Sequence, residues 1–173
     1  MKQSRPPVWV LAAIVAAVAV LDRVTKLYIQ RAFSLADIKP VIPGFFNIVH
    51  VENRGAAFGM LSDSSSPWSR VLLVGVSLAE MAVILVLLLN PRRSGLANTP
   101  VLRTALALVF GGALGNLSDR LFHGTVTDFL QFFFGSYEFP SFNVADTMIN
   151  IGAGLLLLEF WLTRHHQPTR QSL

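Results

Sequence analysis

Two aspartates, Asp128 and Asp146, stand 18 residues apart in settings that could bring them together. Asp146 opens an apolar stretch in the company of Asn143, Thr147 and Asn150. Those positions fall at i, i+3, i+4 and i+7, which is one face of a helix. Asp128 lies in Thr125-Val-Thr-Asp-Phe129, between Gly124 and the aromatic run Phe132 to Phe134. When two carboxylates share a site, both cannot ionise easily, so one pKa rises and the pair holds a single proton. The charged member then serves as general base on a water, and the protonated member polarises a carbonyl. Such a pair hydrolyses amides without serine, cysteine or metal. Each aspartate alone also has a plainer reading. An aspartate in a loop is usually solvated, and Asn143 or Asp146 could simply cap a helix.

A second polar cluster, Asn116, Asp119 and Arg120, follows a glycine-rich stretch. Its members share a helical face. Gly111 and Gly115 have the small-xxx-small spacing that lets a neighbouring helix approach closely. The alternative is that Asp119 and Arg120 form an interfacial ion pair at a helix end. Other catalytic groups are sparse. The chain has four histidines and no cysteine, which excludes disulfides, thiolate catalysis and cysteine-based metal sites. HExxH, Walker A and GxSxG patterns are absent, so no metal or cofactor is expected. A serine–lysine pair is compatible with the composition, although no particular pair suggests it.

The elements that must position these groups are membrane spans. The chain is 53% hydrophobic and only 14% charged, against roughly 25% charged in ordinary soluble domains, and the apolar residues are gathered into long runs. The expected fold is an all-α integral membrane protein: one unit over residues 1–173 with four transmembrane helices and a small β-containing cradle outside the membrane. Spans are expected at about residues 8–29, 71–89, 104–120 and 145–162, with outer loops at about 30–70 and 121–144. The first apolar run is short, and a helix continuing through Asp22 makes up the length. That run also resembles a signal peptide, with Lys2 and Arg5 ahead of it and Ala17-Val18-Ala19 as a small-residue cleavage pattern. In the first outer loop, Pro43-Gly44 is a turn signal and Phe45 to Val51 reads as a strand, while 62–67 is a polar connector.

The net charge of +4 points to membrane orientation rather than to nucleic acid. Segments 1–7, 90–103 and 163–173 hold seven basic residues and no acid, whereas 22–70 and 118–143 hold seven of each sign. The short all-basic segments are therefore expected in the cytoplasm, with both termini inside. An ionisable group within a span is costly, ~2.5–3.5 kcal/mol at a helix centre, so each one invites a functional question. A proton-coupled transporter using Asp128, Asp146 and Glu80 is the main alternative, but a relay should continue through the bilayer, and here the polar residues cluster at the outer edge. Glu80 would pair with another helix or carry a proton. Arg54 reads as a solvated loop arginine.

Taken in order, the motifs resemble those of the lipoprotein signal peptidases, the signal peptidase II family. Asp22-Arg-Val-Thr-Lys26, Asn53-Arg-Gly-Ala-Ala-Phe58, Gly111-Gly-Ala-Leu-Gly-Asn-Leu-Ser-Asp-Arg120, Val126-Thr-Asp-Phe129 and Phe142-Asn-Val-Ala-Asp146 carry the resemblance across most of the chain. The Gly-x-Gly-Asp motif of presenilin-type proteases is missing. The resemblance implies an aspartyl endopeptidase of the bacterial cytoplasmic membrane that cuts diacylglyceryl-modified prolipoproteins before the lipidated cysteine. It implies Asp128 and Asp146 as the dyad. Asn53, Asn116, Arg120 and Asn143 would hold substrate backbone, and Asp22 and Lys26 would support the site. It also implies contact with membrane lipids, sensitivity to globomycin and retention of the first span. A monomer is expected.

Overall fold

The computed structural model describes residues 6–55, 67–89 and 99–164. Four helices, α1 (Val8–Ala32), α2 (Pro67–Leu89), α3 (Pro100–Phe122) and α4 (Val144–Arg164), are joined by four strands, β1 (Ile38–Ile42), β2 (Phe46–Asn53), β3 (Val126–Phe134) and β4 (Tyr137–Phe142). All four helices are long and apolar enough to cross a membrane. The chain is thus a multi-pass membrane protein with a small antiparallel sheet, ordered β1-β2-β3-β4.

α3 and α4 begin ahead of their apolar cores, at capped ends. Thr99 accepts the Leu102 N–H at 3.1 Å, and Pro100 occupies the first turn of α3, so α3 begins four residues before the expected Thr104. At the other end of the chain, Asn143 Oδ1 accepts the Asp146 N–H at 3.0 Å while Asp146 Oδ2 accepts the Asn143 N–H at 3.2 Å. This reciprocal pairing satisfies two otherwise orphaned donors at the start of α4. α1 reaches Ala32, past the expected Ile29, and runs unbroken through Ala17–Ala19.

α3 is the central helix, and its glycines set its neighbours' distance. A Cβ on Gly111 would lie 2.9 Å from Val18 Cβ, and one on Gly115 would lie 2.5 Å from Asp22 Oδ2. α1 therefore lies directly on the Gly111/Gly115 face, as the small-residue spacing suggests. An apolar cluster of Ile84, Leu102, Leu106 and Val109 ties α2 to α3 further along. The other faces of α1, α2 and α4 expose large apolar side chains such as Val20, Val24, Val76, Val83, Leu157 and Phe160, which is the surface a bilayer would cover.

The stretch 121–144, expected as a loop, is the β3–β4 hairpin. Its sequence hides the strands: Gly124 and Gly135 take positive φ at the turns, but the aromatic run between them lacks a clear period of two. Phe46 stacks on Phe132 at 4.7 Å, and Phe132 stacks on Phe142 at 5.8 Å. This ladder runs across β2, β3 and β4 and delivers the chain at Phe142 into the cap of α4. The last turns of α1 and α3, the first turns of α2 and α4 and the sheet all meet at one end of the bundle. Arg70 of α2 helps close that end by donating to the carbonyls of Arg120 and Leu121 at 3.0 and 2.9 Å.

Candidate active site

Both aspartates arrive at this end from different elements. Asp128 comes from β3 and is only 3% exposed, so it is a buried strand residue and not a solvated loop acid. Asp146 comes from the first turn of α4. Asn143 Nδ2 donates to Asp128 Oδ1 at 2.8 Å and to Asn116 Oδ1 at 3.2 Å. Asn116 Nδ2 donates to Asp146 Oδ1 at 2.7 Å. Asn53 Nδ2 donates to Asp128 Oδ2 at 3.0 Å. Three amides thus orient the carboxylates, and Asn143 both caps α4 and belongs to the site. The capping and functional readings are compatible because an amide has an oxygen for one task and an NH2 for the other.

Burial first, and then the neighbouring Asp146 charge, raise the Asp128 carboxyl from its ordinary 3.8 to about 7, against the opposing pull of the Asn53 and Asn143 bonds and of Lys26. A low-dielectric site penalises the charged form, and a second carboxylate does the same. Arg120 reaches the same space. Its Nη2 donates to the Gly55 carbonyl at 3.3 Å.

Behind the amides sits a buried ion cluster. Lys26, fully buried, lies 2.8 Å from Asp22 Oδ2 and 2.8 Å from Asp119 Oδ2, and it donates to Asn116 Oδ1 at 3.1 Å. Asp22 Oδ1 accepts the Ala145 N–H at 2.9 Å, which pins the start of α4 to α1. Asp119 therefore pairs with α1 and not with Arg120, correcting the ion-pair reading: the two adjacent residues point to different partners. Arg23 adds a looser contact to Asp119 at 3.4 Å.

All eight residues that the family resemblance assigns to the site fall in this region. Sequence reasoning missed Gln30, His50, Glu52 and Thr127, which bond to one another on the other face of the sheet. One signal was available for Gln30: Asp22, Lys26 and Gln30 recur every four residues, a polar ridge along α1. Glu80 does not join the site. It is exposed on α2 with no hydrogen-bond or ion-pair partner among the described residues, which does not support the expected pairing. Arg54 is exposed. Residues 56–58 of the second motif, the connector at 62–66 and Lys2, Arg5, Arg92, Arg93 and Arg170 lie outside the described residues. Among the described residues no His/Asp/Glu group has the arrangement of a metal site.

A helical membrane bundle with two carboxylates held by amides at one end defines a polytopic membrane protein with a hydrolase-like site. The family model described as signal peptidase (SPase) II matches residues 14–162. The lipoprotein signal peptidase of Solibacter usitatus (strain Ellin6076) is 42% identical over 164 residues, covering 95% of this chain and 94% of that protein. That of Yersinia pseudotuberculosis serotype O:1b (strain IP 31758) is 40% identical over 155 residues, covering 90% and 87%. The chain belongs to the signal peptidase II family. A bacterial membrane enzyme solved by the in meso method at 2.3 Å superposes with a TM-score of 0.84 at 26% identity, covering 100% of both chains. A second, solved by the same method at 1.9 Å, gives 0.77 at 28% identity, covering 92% and 97%. Family membership brings with it peptidase activity in lipoprotein processing.

Proposed function

We propose that this chain is an aspartyl endopeptidase that removes the signal peptide from diacylglyceryl-modified prolipoproteins by cutting before the lipidated cysteine. The observation that carries the proposal is the bridging of the two carboxylates by shared amides: Asn143 serves Asp128 and, through Asn116, Asp146. The pair holds one proton between them, and such a coupled proton belongs to the pair rather than to either residue. The ionised carboxylate takes a proton from water as it attacks the scissile carbonyl. The protonated carboxyl donates to the carbonyl oxygen, giving a neutral gem-diol. Proton transfer to the amide nitrogen then expels the new amino terminus. Asn53, Asn116, Arg120 and Asn143 hold the substrate backbone. Asp22 and Lys26 support the amides from behind.

The enzyme would sit as a single unit in the bacterial cytoplasmic membrane, a monomer with both termini in the cytoplasm and the site at the outer face. The sheet would form a cradle over the lipid-bearing substrate, and globomycin would occupy the same site. A transporter reading has less support, because Glu80 is turned outward and no carboxylate chain leads away from the dyad among the described residues.

The test uses purified protein in nanodiscs with a lipidated prolipoprotein and its unlipidated counterpart. Wild type should shift only the lipidated form, and Asp128→Asn and Asp146→Asn should each abolish the shift while remaining folded. Removal of such a group typically costs several orders of magnitude in rate, roughly 10⁴-fold or more. Normal cutting by both variants would sink the assignment.

A further inference from the structure

The ladder between β2 and β3 is broken at one place. Ile48 pairs with Leu130 and Val51 pairs with Asp128, so three steps along β2 match two along β3. This is a β-bulge, and it reverses which face each later β2 residue presents. Before the bulge, Asn47 lies on the face of Gln131 and bonds to it at 3.0 Å. After it, Asn53 lies on the opposite face, with Asp128. In an unbroken ladder Asn53 would turn away from the carboxylate that it contacts at 3.0 Å.

His50 occupies this bulge and is 8% exposed. Its backbone has left β3 and bonds instead to the turn after α1: His50 N–H donates to Asp37 O at 3.2 Å, and Ala36 N–H donates to His50 O at 2.9 Å. Its Nδ1 lies 2.9 Å from the Phe33 carbonyl at the end of α1, and its Nε2 lies 3.2 Å from Glu52 Oε1. That Glu52 oxygen also accepts the Thr127 hydroxyl at 2.9 Å, and Gln30 donates to Thr127 Oγ1 at 2.7 Å. Thr125 donates to the other Glu52 oxygen. The imidazole therefore links the end of α1, the bulge and the β3 residue next to Asp128. Glu52 is the charged side chain facing it; the Asp37 carboxylate is turned to the Ser34 N–H.

We propose that His50 is a positioning residue for the reaction: it pins the bulge whose register places Asn53 on Asp128. The inference rests on Asp128 being catalytic, as proposed above. Three variants dissect it. His50→Asn keeps an N–H near Nδ1, for Phe33. His50→Gln keeps a donor near Nε2, for Glu52. His50→Leu keeps neither.

Cleavage kinetics of lipidated substrate across pH, with the folded fraction measured by thermal unfolding, provide the readout. His50→Leu should lower kcat per folded enzyme roughly 10- to 100-fold, the scale of an ångström misplacement, with KM little changed. Its alkaline pH midpoint should move upward, because Asp128 loses a bond that favours its charged form. Asn and Gln variants should recover part of both effects. A His50→Leu enzyme with wild-type kcat and pH profile would overturn the proposal. So would a rate that falls only with the folded fraction while the profile stays put. Asp128→Asn is assayed alongside. If it cuts, the dyad reading itself has failed; if it is inert while His50→Leu behaves as wild type, only the role of His50 has.

Discussion

Gly112→Ala probes the spacing between α3 and α4, the helices that carry Asn116 and Asp146. A Cβ at residue 112 would lie 2.5 Å from the Ala145 carbonyl oxygen and 2.8 Å from Ile149 Cγ1, where ordinary contact starts at 3.4 Å. The closest neighbour is backbone, so rotating a side chain cannot relieve it, and in a close-packed interior α3 and α4 must part by roughly 1 Å. Overpacking of this kind costs about 1–3 kcal/mol in stability. The larger effect falls on the site. Residue 112 is one turn before Asn116, and Ala145 adjoins Asp146, so the strain lands on the 2.7 Å bond between Asn116 and Asp146. A misplacement near 1 Å can cost ~10²-fold in rate. The assay pairs thermal unfolding in detergent with cleavage of lipidated substrate. Gly75→Ala serves as control, since nothing lies within 4 Å of its would-be Cβ. The reasoning fails if Gly112→Ala unfolds and cuts like wild type, or if Gly75→Ala is equally impaired.

Two further outcomes are expected. Asp128 has a folded-state pKa of about 7, raised above its ordinary 3.8. Folding therefore favours its protonated form: that contribution is full below about pH 4 and is lost as pH rises through about 7, a change of up to about 4 kcal/mol. Cleavage should decline above about pH 7, approaching tenfold per pH unit, and Asp128→Asn should flatten the stability profile over the same window; a rate constant up to pH 9 would contradict this. Lys26→Met leaves Asp22 and Asp119 buried without their shared cation, and breaking such a cluster costs about 3–5 kcal/mol. Unfolding temperature should drop sharply, and adding Asp119→Asn should restore part of it; a double variant no better than the single would refute the pairing.

The membrane spans were legible because hydrocarbon leaves long apolar runs, and Asp146 stood out because a polar stripe opening such a run is conspicuous, whereas Asp128 drew interest only from that partner carboxylate. The hairpin around Asp128 was not legible. Phe132 to Phe134 face both a stacking ladder and the open side of the sheet, so they show no alternation, and β4 carries Pro140. Helix ends were misplaced for a related reason: the caps at Thr99 and Asn143 are polar, and a hydropathy reading stops short of them. The bulge at His50 could not be seen, since its signature is a mismatch between two strands distant in sequence. The alternative that paired Asp119 with Arg120 as neighbours fails because a helix turns them toward different partners, Lys26 and Arg23 of α1 for one and the Gly55 carbonyl for the other.

α1 has no hydrogen bond to Asp128 or Asp146 among the described residues, yet it holds the neighbours of both. Asp22 holds the N–H of Ala145 and so fixes the start of α4, next to Asp146. Lys26 holds Asn116, the amide that serves Asp146 and meets Asn143. Gln30 holds Thr127, the neighbour of Asp128 on β3. These three residues lie one turn apart on a single face, so one rigid helix references α3, α4 and the sheet to a common axis. Burying a lysine and two aspartates is expensive, and well-packed apolar residues would often stabilise a fold as well or better. What apolar packing cannot supply is direction. A methyl group tolerates sliding along a helix, whereas the bonds from Asp22 and Lys26 lengthen with any slip of α4 or α3. The cost of the ridge is therefore best understood as the cost of holding two carboxylates, carried by separate elements, in one register.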